Sequence, residues 1–235
     1  GVGLRPGDAV MSIGTSGTVY AVSSAPTADT SGAVAGFADA TGRFLPLVCT
    51  SNAAKVPDAV RRLLDVDHVA FDDLALRAAP GGPVLLPYFD GERTPNLPEA
   101  SGSLSGLRTT TSREELARAA HDGVLCGLLA GLDALGDAGV DTSGRVHLIG
   151  GGARSGAYRQ RCADLRGASI VVPDTDEAVA TGAALQAAAV GSGVDSGEIG
   201  ERWQLGSGDL IEPAPGVDGA EVRAAYAEVV ARVEG

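Results

Sequence analysis

Lysine is almost missing from this sequence: Lys55 stands alone among 235 residues. That absence excludes a Walker A loop, which needs Gly-x-x-x-x-Gly-Lys-Ser/Thr, because Lys55 follows Ala53-Ala54. Basic residues are scarce altogether, 18 against 30 acidic, for a formal net charge of −12. With no dense arginine run, the chain lacks the basic stripe that phosphate neutralisation on nucleic acid requires, so no nucleic-acid partner is expected. Cysteine is sparse too. Cys49, Cys126 and Cys162 are an odd set without C-x-x-C spacing, which signals neither a disulfide framework nor a thiolate zinc site. A reducing cytoplasm is the expected location. The longest apolar-plus-glycine runs, 123–132 and 178–185, fall well short of the ~20 residues of a membrane span, so no membrane partner is expected either. No charged and then apolar leader opens the chain. It begins Gly-Val-Gly-Leu-Arg-Pro-Gly, without Met, as a piece of something longer or a processed product would.

Other chemistries fail on spacing. His68, His121 and His147 are far apart and form no H-E-x-x-H, so no metal site is expected. A nucleophile elbow around Ser16 would need glycine where Thr18 stands. Asp65, Asp67, Asp72 and Asp73 read as a solvated face of an acidic protein.

What is present is a globular α/β pattern. Hydrophobic residues make up 44 %, too many for a disordered acidic chain. The 34 glycines follow no collagen period and suit tight turns and close backbone approach. Residues 9–13 and 18–23 read as a β-hairpin across Gly14-Thr15-Ser16-Gly17. One or two strands are expected within 32–49, a helix over 53–64, and a strand over 84–88. Residues 89–111 read as a long loop and 191–219 as a linker. The strongest helix signal starts at the capping box Ser112/Glu115 and runs to about 135. On it Gly123, Gly127 and Gly131 lie four apart, a stripe that implies close packing. A strand, turn, helix, strand, helix series follows over 146–149, 150–152, 155–165, 169–172 and 177–190, then a terminal helix over 220–233. The expected architecture is one mixed sheet, begun by a hairpin and flanked by helices.

Two glycine-rich bends could hold phosphate. In Gly14-Thr15-Ser16-Gly17-Thr18 the small side chains leave backbone amides open to an anion, with hydroxyls beside them. In Gly150-Gly151-Gly152-Ala153-Arg154-Ser155-Gly156 the bend follows a strand and opens a helix, where amides and the helix dipole gather. A dinucleotide fingerprint with Asp174 or Asp176 as the ribose acid is the alternative there, but it needs glycine where Ser155 stands.

Three segments carry a family resemblance. Residues 8–19 resemble the second phosphate motif of the FGGY carbohydrate kinases, in the actin/hexokinase/Hsp70 superfamily. Leu86-Pro87-Tyr88-Phe89-Asp90-Gly91-Glu92-Arg93-Thr94-Pro95-Asn96 is similar to the Gly-Glu-Arg-Thr-Pro stretch of that family's xylulokinase branch. Residues 150–164, with 173–177 and Thr181-Gly182-Ala183-Ala184, resemble its adenosine motif and the helix after it.

The resemblance implies a ribonuclease H-like fold, with residues 1–235 as a single C-terminal, ATP-binding domain. The N-terminal, sugar-binding domain would be absent from this chain. It implies transfer of the ATP γ-phosphoryl group to a sugar hydroxyl, with Mg²⁺ bridging phosphate oxygens. D-xylulose going to D-xylulose 5-phosphate is the best match, and a ketopentose or related sugar the partner. Gly14 and Thr15 would hold the β- and γ-phosphates. Gly152 would admit the α-phosphate or ribose, Gly156 would leave room for adenine, and Asn52 would line the site. The family's general-base Asp sits in a Gly-x-Asp-Asn-like segment, which is expected upstream of Gly1, so no catalytic residue is assigned here. Arg93 would pair with phosphate, with the other domain, or with a surface acid. An isolated half exposes a face meant for its partner, which a homodimer could cover. The competing expectations are a non-catalytic actin-like nucleotide module and an NAD-binding oxidoreductase.

Overall fold

Alternation of apolar side chains in the first strands sets the architecture. The computed structural model describes residues 1–175 and 177–234, leaving Asp176 and Gly235 outside the described residues. β1 (Ala9–Ile13) and β2 (Gly17–Ala21) form the expected antiparallel hairpin, with Ile13 opposite Gly17. β3 (Leu47–Thr50) adds antiparallel to β2, and the segment before it contributes only isolated bridges. β6 (Val146–Ile149) lies parallel to β1, β7 (Ile170–Pro173) lies parallel to β6, and β8 (Gly208–Ile211) closes the edge antiparallel to β7. The order is β3-β2-β1-β6-β7-β8, a mixed sheet. β4 (Val84–Leu86) and β5 (Ser103–Ser105) pair separately.

Side chains alternate across this sheet, as a period of two requires. Ala9, Met11, Ile13, Val19 and Leu148 point into the main core. Tyr20 and Val171 face the other way, onto an open groove of about 1900 Å³ bounded by α5 (Ala178–Ser192) and α6 (Ser196–Arg202). The core is closed mainly by α3 (Arg113–Asp137), whose capping box at Ser112 and Glu115 is formed in both directions. Its glycine stripe is a packing device: a Cβ at Gly123 would lie 2.3 Å from the Leu85 carbonyl oxygen, and one at Gly131 would lie 3.1 Å from Val48 Cγ1.

Two expectations about connections are corrected, and one stretch for which no element was predicted is helical. The stretch after α1 (Lys55–Leu63) holds a further helix, α2 (His68–Arg77), capped by Asp67, whose carboxylate accepts from the Ala70 amide. The long loop contains β5, and the linker contains both α6 and β8. α4 (Gly156–Arg166) and α7 (Gly219–Glu234) complete the chain. Among the described residues no helix is long and apolar enough to cross a membrane.

Candidate functional site

Adjacent parallel strands send their following loops out of the same edge of a sheet, and ligands of open α/β sheets collect there. β1 and β6 do this here, Ser12 standing opposite Ile149, so the Gly14–Ser16 bend and the Gly150–Ser155 turn emerge side by side. Ile13 is the shared wall. A Cβ on Gly152 would fall 2.3 Å from Ile13 Cγ2, and one on Gly150 would fall 2.6 Å from the Ile13 carbonyl oxygen. Gly150 also holds a φ of 88°, a backbone region that glycine enters without steric cost. Thr15 and Gly152, 137 positions apart in sequence, therefore flank one crevice.

The geometry of the first bend follows from peptide planarity. The Gly14 carbonyl accepts from the Ala54 amide at 3.0 Å, and the Thr15 carbonyl accepts from the Ala53 amide at 3.2 Å. In a trans peptide the N–H of the next residue points opposite to the carbonyl. The Thr15 and Ser16 amides are thus turned outward, and among the described residues neither carries a hydrogen bond. The Gly151 and Gly152 amides are equally unpaired, at the head of the 3₁₀ turn Gly151–Arg154. Two bends present four unpaired N–H groups from one sheet edge, the arrangement of an anion nest.

The start of α4 departs from expectation. Its amides were expected to be free for a ligand, yet the protein answers them itself. Ser155 Oγ accepts from the Tyr158 amide at 3.0 Å and donates to Asp72 Oδ1 at 2.8 Å. Asp72 also approaches the Ala157 amide at 3.5 Å and His121 Nε2 at 3.4 Å. Burial would raise the Asp72 pKa, but hydrogen bonds from His121 and Ser155 outweigh it and hold the carboxyl below its ordinary value. Asp72 is therefore no member of a solvated face. It is a built-in anion at a helix N-terminus, where negative charge is favoured, and the room for an outside anion moves to the Gly151–Gly152 turn ahead of it. Gly156 is exposed, and a Cβ there would meet nothing within 4 Å, so its smallness leaves open space.

Asn52 is not an open lining residue. Only 2 % exposed, it donates through Nδ2 to the Gly91 carbonyl and to Glu92 Oε2 at 3.0 Å. Glu92 is buried as well, whereas Arg93 is exposed and has no ion-pair partner among the described residues. Asp8 lies at the opposite end of β1. There it accepts from the Arg5 and Arg145 amides and pairs with the Arg145 guanidinium, away from the crevice. Beside the 3₁₀ turn a depression of about 50 Å³ is lined by Ile149, Ala153, Arg154 and Pro173. It is small beside ordinary ligand pockets of ~300–1000 Å³ and lies on the β7 side of the turn, next to the two bends rather than between them. Among the described residues no three His, Cys, Asp or Glu side chains cluster to hold a metal ion.

The dinucleotide alternative does not survive this geometry. Ser155 is a helix cap, Asp174 is exposed, Asp176 lies outside the described residues, and the strand before the first bend feeds a hairpin. Known proteins agree. Residues 9–190 match the model for the FGGY family of carbohydrate kinases, C-terminal domain. The chain is 48 % identical over 213 residues to the xylulose kinase of Streptomyces rubiginosus, covering 90 % of this chain and 43 % of that one. It is 28 % identical over 211 residues to the gluconokinase of Bacillus licheniformis, covering 83 % of this chain and 41 % of that one. The solved xylulose kinase of Bifidobacterium adolescentis superposes with a TM-score of 0.79 at 41 % identity, over 97 % of this chain and 44 % of that one. The chain thus spans less than half the length of the relatives it matches. Its order of motifs, its hairpin-first sheet and these matches have one meaning: the chain belongs to the FGGY family of carbohydrate kinases.

Proposed function

We propose that this chain is the ATP-binding half of a sugar kinase that moves the γ-phosphoryl group of ATP to a hydroxyl of D-xylulose. The observation that carries the proposal is the crevice beside Ile13, with the outward amides of Thr15 and Ser16 on one side and those of Gly151 and Gly152 on the other. The first pair would take the β- and γ-phosphates, with the Thr15 hydroxyl beside them. The second pair would take the α-phosphate or ribose, and the space at Gly156 would receive the adenine. Asn52, enclosed as it is, would shape the site from behind.

Phosphoryl transfer asks for positioning and charge stabilisation more than covalent chemistry. Fixed amides supply both, because their dipoles need no reorganisation as charge shifts from the γ-phosphoryl group to the leaving oxygen. Mg²⁺ would enter with the nucleotide, since it is usually bound by substrate phosphates, waters and one or two carboxylates. When bound it neutralises phosphate charge, which matters for a chain carrying −12. Among the described residues we assign no general base at the two bends. We assign that role, and most sugar contacts, to an N-terminal domain, making residues 1–235 a single C-terminal domain. The 43 % share of the Streptomyces relative supports this division. The choice of D-xylulose rests on the 48 % identity to a xylulose kinase, against 28 % to a gluconokinase.

Isothermal calorimetry tests the proposal directly. This chain should bind Mg·ATP weakly, lose that binding in EDTA, and show no ADP release with D-xylulose. Equal affinity with and without Mg²⁺, or enzyme-like turnover by the chain alone, would refute it. The coding sequence upstream of Gly1 should carry a Gly-x-Asp-Asn segment within about twenty residues, and the chain so extended should phosphorylate D-xylulose in preference to gluconate and glycerol.

A further inference from the structure

The proposed kinase site needs its first bend held in one orientation, and a buried carboxylate outside the bend is placed to hold it. Glu92 is 3 % exposed, and among the described residues no Arg, Lys or His forms an ion pair with it. Its charge is met by N–H donors instead. Oε1 accepts from the Ser51 amide and, at 2.7 Å, from the Arg93 amide, while Oε2 accepts from Asn52 Nδ2 at 3.0 Å. Asn52 Nδ2 also reaches the Gly91 carbonyl. The carboxylate thereby joins two turns 40 residues apart in sequence, Ser51–Asn52 and Gly91–Arg93.

The Ser51–Ala54 turn has two working sides. Ser51 and Asn52 face Glu92, and the next two amides, of Ala53 and Ala54, grip the Thr15 and Gly14 carbonyls. Those carbonyl bonds turn the Thr15 and Ser16 amides outward. We infer that Glu92 is a positioning residue for the phosphate bend: it pins the Ser51–Ala54 turn from behind, so that the peptide planes at 14–16 keep their N–H groups toward the crevice. Glu92 touches no nucleotide in this scheme. Its Oε1 also holds the Arg93 amide, which fixes the backbone from which the unpaired Arg93 side chain leaves. The inference rests on the proposed nucleotide site, but the clamp itself can be tested without nucleotide.

The test compares Glu92→Gln, Glu92→Ala and a control, Leu135→Ala, which empties core volume at the far end of α3. In ligand-free protein, amide hydrogen exchange over residues 9–21 and 47–60 should quicken at least tenfold in Glu92→Ala and several-fold in Glu92→Gln. In Leu135→Ala the Ala53 and Ala54 amides that hold the bend should keep wild-type rates under conditions where it is fully folded, although its melting temperature falls and the strands packed on α3 exchange faster. Calorimetry should then give a Mg·ATP Kd raised at least tenfold in Glu92→Ala, about threefold in Glu92→Gln, and unchanged in the control. Glutamine restores part of the clamp because it retains one acceptor oxygen for the Ser51 and Arg93 amides. If Glu92→Ala fails to fold, the exchange and Kd of Glu92→Gln decide alone. Wild-type exchange rates in Glu92→Gln would overturn the clamp whatever binds there. Quickened exchange with an unchanged Kd would overturn its role in nucleotide binding. Failure of the wild-type chain to bind Mg·ATP would sink the proposed function and, with it, this assignment of purpose.

Discussion

α3 buries 14 of its 25 residues, whereas α5 buries none of its 15, although α5 is the more uniformly apolar of the two. The two helices belong to opposite faces of one sheet. On the α3 face, Met11, Ile13 and Leu148 meet Leu125, Leu128 and Leu129 in a closed core, and the bends of the candidate site stand on that floor. On the α5 face, Tyr20, Val171 and Leu185 border an open groove, and Val179 and Val190 project into solvent. Apolar composition makes a helix able to pack; a partner at the right distance decides whether it does. The groove lining is mixed, with Asp39, Arg43 and Glu201 beside these apolar side chains, and an apolar helix left uncovered is the kind of surface on which a partner packs.

The largest effect that this contrast predicts is on the filled face. Leu128→Ala should cost about 2–5 kcal/mol, the usual range for a leucine truncated in a core that cannot collapse around the gap. Leu128 is fully buried, and its Cδ2 lies 2.7 Å from where a Cβ on Gly17 would stand, so it supports the hairpin as well as the core. Urea unfolding with an unchanged m-value measures it. A loss below about 1 kcal/mol would mean that the α3 face is as loosely held as the α5 face.

Next in size is a pair of neighbours at the crevice. Gly152→Ala places a Cβ 2.3 Å from Ile13 Cγ2 and should cost about 1–3 kcal/mol through overpacking. Gly151→Ala meets nothing within 4 Å and should stay within about 0.5 kcal/mol. The same melts should show Gly152→Ala as the weaker binder of Mg·ATP. Equal melting temperatures for the two variants would dissolve the claim that Ile13 is the shared wall.

A smaller effect belongs to the opposite edge of the sheet, where Asp8, Arg145 and His147 meet. His147 is fully buried, 3.6 Å from Asp8 Oδ2, and burial, with Arg145 adding to it, lowers its pKa. The unfolded chain then binds a proton that the folded chain refuses. Stability from this source is complete above the unfolded value of about 6.5 and declines as pH falls through it toward the folded pKa. Burial would raise the Asp8 pKa, but hydrogen bonds from the Arg5 and Arg145 amides and the Arg145 charge override it, so its contribution is lost only below about pH 4. His147→Leu should flatten the stability profile just below about pH 6.5 and leave the more acidic decline in place. A profile of unchanged slope in that window would assign the decline to other groups.

Much of the α3 face was legible in the sequence. The hairpin around 14–17, the capping box at Ser112 and Glu115, and the strand–turn–helix at 146–165 are local signals, each set by residues close to one another. α2 is legible in its residues: Asp67 is an N-cap, and Phe71, Leu74, Ala75 and Ala78 repeat at helical spacing, all of them buried. Acidic residues there masked an apolar face. The roles of Asp72 and Glu92 could not be read from spacing, because their partners lie 83 and about 40 positions away and only the fold brings them together. Asn52 shows the converse: the sequence singles it out, and its burial is set by the Glu92 turn packing over it. On the α5 face the sequence shows an apolar helix and cannot show that nothing covers it.

The smallest expected effect tests that last point most sharply. Val179 is 86 % exposed on α5, and valine and serine have similar helix propensities. Val179→Ser should therefore change the stability of this chain by less than about 0.5 kcal/mol, the ordinary range for a surface substitution. In a longer polypeptide, carrying the proposed N-terminal half, the same substitution should cost more than 1 kcal/mol, because a buried valine is worth about 1.5–3 kcal/mol. The difference between the two costs, measured by the same denaturant melts, reports whether the α5 face is an interface. A neutral result in both contexts would leave α5 a solvent helix and refute the partner-covered face.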